Sequence, residues 1–172
     1  MESDSKQPVS KKCCIYGRRW NTIHGGYFSD SVVAFPLVEA VRSAVNECRP
    51  GVVADFGGGT GFVLKELLKH KEFDGLRLMN VDSSCLQLSE CSDDRIIFVE
   101  GSVDKVNRSQ LLANNEGLLI VARSLLHYFG DSGLRPFLGH VRRQLKRGEV
   151  FVHQSACLLY TSDAADEEDS VD

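Results

Sequence analysis

Residues 51–61, Gly-Val-Val-Ala-Asp-Phe-Gly-Gly-Gly-Thr-Gly, join a short apolar run, an acid and four glycines in immediate succession. The apolar run reads as a buried strand, and the stretch after it, residues 62–70, carries Leu64, Leu67 and Leu68 on one helical face. Four glycines between a strand and a helix exceed what a turn needs. Without a Cβ the backbone turns sharply and a ligand can approach it closely. A strand, a glycine turn and a helix in that order form a ready-made site for a nucleotide-like ligand.

The rest of the chain repeats the alternation. Residues 76–82, 95–100, 117–122 and 148–153 read as four further strands, and residues 117–122 are so apolar that both faces must be covered. Between them, helices are predicted over residues 84–90, about 103–113 and 132–146. The last presents Leu134, Phe137, Leu138, Val141 and Leu145 inward. A helix over 32–48 precedes the first strand, with Asp30 or Ser31 as its cap and Pro36 in its first turn. Strands and helices in strict alternation require crossover connections, hence a doubly wound α/β domain with a mostly parallel sheet.

Composition narrows the function classes. With 42% hydrophobic and 26% charged residues, the 172-residue chain is an ordinary globular domain. No apolar run is long enough to span a bilayer, and residues 1–12 have no secretory apolar core, so a cytoplasmic protein is expected. The net charge of −4 comes from residues 163–172, which hold six acids and no base; the rest of the chain carries +2. No basic stripe marks a nucleic-acid partner. The six cysteines form no C-x-x-C pair, so reduced thiols and no metal site are expected.

Asp55, Gly57, Gly59 and Gly61 spell D-x-G-x-G-x-G, which resembles motif I of class I S-adenosylmethionine-dependent methyltransferases. A dinucleotide fingerprint, G-x-G-x-x-G, needs glycine at 62 or 64, where Phe62 and Leu64 stand. The resemblance implies a Rossmann-like fold and S-adenosyl-L-methionine as cofactor. Asp55 and the loop, Gly58 included, would then lie at its methionine end, and Asp82 with Ser83 at its ribose. A carboxylate offers two acceptors to a vicinal diol; the other reading of Asp82 is a helix cap, which Ser83 or Ser84 could supply. Where the family often has Gly-Asp-Ala against adenine, this chain has Gly101, Ser102 and Val103. Residues 117–129, GLLIVARSLLHYF, look like the family's segment after its fourth strand. By that match Arg123 and Ser124 lie under the cofactor, and His127 and Tyr128 face the substrate.

Methyl transfer from a sulfonium needs alignment more than a protein nucleophile. His127 is the candidate general base, or else a residue packed in its turn. His24, His70 and His140 are expected on surfaces or loops. Residues 1–31 form an arm and possible lid, with Trp20, Tyr27 and Phe28 as aromatic walls or as a flap on the sheet edge. A small-molecule acceptor is expected, and the cofactor-binding domain spans 32–156. The family's last two strands have no counterpart in the pattern. Residues 157–167 read as a translated transposon-end sequencing adapter, so 157–172 is expected to be a non-native or disordered acidic tail.

Overall fold

The computed structural model describes residues 23–91, 93–113 and 116–155. Cys13, Cys14, Trp20, most of the arm, and the suspected adapter-derived tail lie outside the described residues.

Five strands form one parallel sheet: β1 (Val52–Phe56), β2 (Arg77–Asp82), β3 (Ile96–Glu100), β4 (Leu118–Arg123) and β5 (Val150–Gln154), in spatial order β3-β2-β1-β4-β5. All four pairings are parallel. The order reverses between β1 and β4, which opens a crevice at their carboxyl ends. Helix α1 (Ser31–Cys48) and α2 (Phe62–Leu67) cover one face, where Leu37, Val38, Val41 and Leu64 pack on Val53, Leu78, Leu119 and Val121. The opposite face is covered by α5 (Gly130–Gln144) and by the turns on either side of α4 (Arg108–Leu111), with Phe137, Val141, Val103 and Val106 against Val52, Ala54, Met79 and Ile120. The fifth helix, α3 (Cys85–Ser89), follows β2.

Several local expectations are corrected. Helix α1 starts at Ser31 with Asp30 as its cap, Oδ1 accepting from Val32 N at 2.7 Å. Pro36 therefore sits in the second turn rather than the first. The helix expected over 103–113 contracts to the four residues of α4, because Val103 and Val106 reach the core from turns. In α5 the inward residues are Phe137, His140, Val141 and Gln144, while Leu138 is exposed and Leu134 half-buried. Its burial stripe follows contact with β4 and the Val106 turn, and His140 is thus interior, its Nε2 2.9 Å from Val106 O. His70 lies in a loop, as expected.

Below α4 an ion pair fixes the other end of the sheet. Arg108 donates to both Glu149 oxygens, at 2.5 and 2.6 Å, and Glu149 also accepts from Leu118 N at 3.0 Å and Lys146 N at 2.6 Å. The start of β4, the approach to β5 and α4 are tied at one carboxylate.

Candidate functional site

The period of two in the glycine motif has a backbone cause. Gly57, Gly59 and Gly61 take φ of 72°, 54° and 74°, the left-handed region costly for residues with a Cβ. Gly58 between them is needed for space instead: a Cβ there would lie 2.4 Å from Asn80 Oδ1 and 2.6 Å from Asp55 Oδ2. The loop lies over the carboxyl ends of β1 and β2, and Gly61 opens α2.

Strand parity gathers the polar residues. Asp55, Asn80 and Arg123 continue the rows of Val53, Leu78 and Val121, so all three project to the α1–α2 face, past the end of its apolar core. Asp55 and Asn80 are direct register partners. Phe28, Asp55, Gly57, Gly58, Phe62, Val63 and Arg123 line one narrow cleft there. Both Asp55 carboxylate oxygens, Asn80 Oδ1 and Ser124 Oγ are buried with no hydrogen-bond partner among the described residues. Native interiors rarely leave such atoms unpaired, and their clustering beside a glycine loop points to a ligand that supplies donors. Burial pushes the Asp55 carboxyl up to about 8, Asp82 adds to this and Arg123 opposes it. Ser124 holds a left-handed φ of 51° without being glycine, anchored by its N–H on Gln154 O at 2.8 Å. Such strain recurs at ligand sites.

Asp82 stands at the end of β2, half-buried, with Oδ2 accepting from Gly59 N at 3.0 Å and Oδ1 from Ser84 N at 2.8 Å. Burial raises its pKa while these N–H groups oppose. Each oxygen keeps a lone pair for another donor. The cap of α3 is Ser84, and Ser83 is exposed. Ser102 is exposed and its hydroxyl donates to Asp104. Val103 is buried in the core on the α5 face rather than free at the surface. Asp104 thus puts a carboxylate beside Ser102, two residues away from the expected position; its acidic side chain in a loop was the available signal.

Arg123 works toward the N-terminal segment. Its Nη1 and Nη2 donate to Phe28 O and Tyr27 O, both at 2.9 Å, and Nε to Gln154 Oε1 at 3.0 Å. The guanidinium also lies over the rings of Tyr27 and Phe62, at 5.3 and 5.7 Å. Burial lowers its pKa, against the pull of Tyr27, Asp55 and Asp30. Gln154 completes the strap by donating from Nε2 to Val33 O at 2.9 Å. The short 3₁₀ helix Ile23–Ser29 is held over the cleft in this way. His127, on the short turn Leu126–Phe129 after β4, packs against Tyr128 with ring centroids 4.1 Å apart and is not among the residues lining the cleft. What burial it has lowers its pKa, which keeps the imidazole neutral at pH 7.

No protein-family model matches the chain, and no curated protein sequence matches it. Solved structures do. Human N-acetylserotonin methyltransferase, in complex with S-adenosylmethionine, superposes with a TM-score of 0.61 at 18% identity, over 91% of this chain and 47% of its own. The fold is that of S-adenosylmethionine-dependent methyltransferases. DhpI, in a complex with S-adenosylmethionine, follows at 0.59 and 16% identity, over 96% of this chain and 76% of DhpI. A Geobacter sulfurreducens methyltransferase bound to S-adenosyl-L-homocysteine gives 0.56 and 17%, over 86% of this chain and 56% of its own. The chain thus spans about half the length of the human enzyme. In this methyltransferase fold the crevice between β1 and β4 is the place where Asp55, the glycine loop and Ser124 meet. No described helix is long and apolar enough to cross a membrane.

Proposed function

We propose that this chain is the cofactor-binding domain of an S-adenosylmethionine-dependent methyltransferase acting on a small-molecule acceptor. The observation that carries the reading is the cradle at the carboxyl ends of β1, β2 and β4. It combines a Cβ-free glycine loop with unpaired buried acceptors, suited to a ligand bearing a cationic amino group. Nucleotide pyrophosphate is disfavoured there, because its oxygens bring no donor to the unpaired Asp55 and Asn80 Oδ1 acceptors, and its charge would oppose ionisation of Asp55.

The residues present fit the cofactor. Asp55, Asn80 and Ser124 would hold its amino-acid end, Gly57, Gly58, Gly59 and Gly61 would lie along it, and Asp82 with Ser83 would meet the ribose hydroxyls. Ser102, Val103 and Asp104 stand at the adenine end. When bound, the cofactor supplies a methyl group made electrophilic by a sulfonium. The protein contributes position and exclusion of water. Arg123 holds Phe28 over the cleft by its bonds to the Tyr27 and Phe28 carbonyls, so the described part of the arm, Ile23–Ser29, serves as a lid. A neutral His127 is in the right protonation state to accept a proton from a hydroxyl acceptor. The domain extends over residues 32–156.

A second reading is cofactor binding without turnover. One observation favours it: among the described residues β5 has a neighbour on one side only. Calorimetry with S-adenosylmethionine and NAD tests the main reading, which predicts binding of the first alone; NAD binding without S-adenosylmethionine binding overturns it. Transfer of a labelled methyl group to a metabolite extract separates turnover from binding, and His127→Ala should lower that transfer by about 10²-fold while leaving affinity unchanged.

A further inference from the structure

The parallel register sets Asp55 of β1 opposite Asn80 of β2, and the two side chains are 1% and 0% exposed. The Asn80 amide has its orientation set by Nδ2, which donates to Gly59 O at 2.8 Å. Its Oδ1 is therefore left on the Asp55 side. That oxygen and Asp55 Oδ2 lie 2.4 and 2.6 Å from one point, the position of a Cβ on Gly58, and so are no more than 5.0 Å apart. Two buried acceptors thus lie on the same side of the loop within 5.0 Å of each other, and among the described residues no N–H or O–H reaches either. An ionised Asp55 here loses its hydration and meets the negative end of the amide dipole. A proton relieves both, because it neutralises the carboxyl and turns one acceptor into a donor.

We propose that Asp55 and Asn80 form a proton-holding pair: without cofactor Asp55 is protonated toward Asn80 Oδ1, and an entering ammonium group displaces that proton. The identity of the incoming cation rests on the reading given under Proposed function; the protonation of the pair does not. On binding, the Asp55 O–H bond breaks, its electron pair stays on the carboxylate, and the proton passes to solvent. The incoming ammonium keeps its own protons and its charge. Charge is conserved: one neutral acid and one cation become an ion pair and a released proton.

The surroundings agree. From β2 the carboxylate of Asp82 disfavours a second negative charge, and from β4 Arg123 opposes it. Arg123 nonetheless directs Nε, Nη1 and Nη2 to Gln154, Phe28 and Tyr27 rather than to Asp55. Helix α2 contributes apolar Phe62 and Val63, and Asp30 at the start of α1 acts on Arg123. The net result holds the Asp55 carboxyl up to about 8. Asn80 is a positioning residue in this scheme, fixing the Gly59 carbonyl with one end of its amide and the proton of Asp55 with the other.

The test has two arms on the full chain. In the first, ¹³C NMR of Asp-labelled protein without cofactor follows the carboxyl signal that disappears in Asp55→Asn. The expected midpoint is near pH 8, falling by about one unit in Asn80→Leu, which removes the acceptor but keeps the site dry. A midpoint in the ordinary aspartate range near 4 in the wild type overturns the pair, whether or not Asn80→Leu folds. In the second, S-adenosylhomocysteine, which keeps the amino group, is titrated at pH 7 in buffers of different ionisation enthalpy. Release of about 0.9 proton per site, falling to about 0.1 at pH 9, is expected; binding without proton release at pH 7 overturns the displacement. Failure of any cofactor to bind removes the reading of the pocket, while the first arm still decides whether the pair holds its proton.

Discussion

Replacing Gly58 by alanine separates steric from conformational demands on the loop. Gly58 does not adopt a left-handed φ, so alanine meets no backbone strain there. The added methyl lies 2.4 Å from Asn80 Oδ1 and 2.6 Å from Asp55 Oδ2, both far inside contact distance. Neither oxygen retreats freely: Asn80 is held to Gly59 O, and both side chains are wholly buried. Overpacking of this kind costs about 1–3 kcal/mol. A loss of about 2 kcal/mol lowers the melting temperature of a domain this size by about 4–8 °C. Displacement of the two acceptors should also weaken S-adenosylmethionine binding at least tenfold, or about 1.4 kcal/mol. Gly75→Ala is the matched control. Its φ of 81° makes alanine strained by about 1–2 kcal/mol, but nothing lies within 4 Å of the new methyl. It should show a similar thermal shift with unchanged affinity. Thermal denaturation and calorimetry on the two variants read both quantities. If Gly58→Ala binds as tightly as the wild type, Asp55 and Asn80 do not line the binding cradle and the argument from their unpaired oxygens fails.

Three further outcomes follow from the same contacts. Asp55 has its folded-state pKa raised to about 8, so the folded protein holds a proton that the unfolded chain releases above about 4; relative to Asp55→Asn, wild-type stability should fall by about 1.4 kcal/mol per pH unit between those limits, and a flat difference in urea unfolding would show that the carboxyl is ionised throughout. For Glu149, burial raises the pKa, but Arg108 and the N–H groups of Lys146 and Leu118 win and lower it. Its contribution is full above the ordinary glutamate range and lost as pH falls through the lowered value, so Glu149→Gln should cost about 1–3 kcal/mol at pH 7, flatten the acid limb and leave cofactor affinity alone. Arg123→Met removes three hydrogen bonds to Tyr27, Phe28 and Gln154; hydrogen exchange over residues 23–29 should accelerate while β1 and β4 stay protected, and uniform acceleration across the sheet would mean that Arg123 supports the core instead.

Much of the architecture is legible in the chain because its causes are local. The continuous Leu-Leu-Ile-Val run of β4 is buried on both faces, as an unbroken apolar strand demands, and the glycine spacing of two reflects alternate left-handed residues at 57, 59 and 61. The helix over 103–113 failed for the opposite reason: Val103 and Val106 look like one helical stripe, yet contacts with the sheet draw them inward from turns. The sequence pattern places His140 on a surface or loop and marks nothing at Gln144, since only the packing of α5 on the Val106 turn brings both inside.

The same division runs through the site. Along the chain alone one reads that a strand ends in an acid and a glycine loop, that Asp82 ends a second strand, and that residues 117–129 run on past the end of another. These are properties of neighbours along the chain. The packed fold is what pairs Asp55 with Asn80, binds Arg123 to the carbonyls of Tyr27 and Phe28, and joins β5 to α1 through Gln154. Those pairings depend on strand order and register, which shift every side chain to the other face with a one-residue slip. A buried polar residue inside an apolar strand, as Asn80 is, signals that it needs a partner. Its partner is named only when the neighbouring strand is in place.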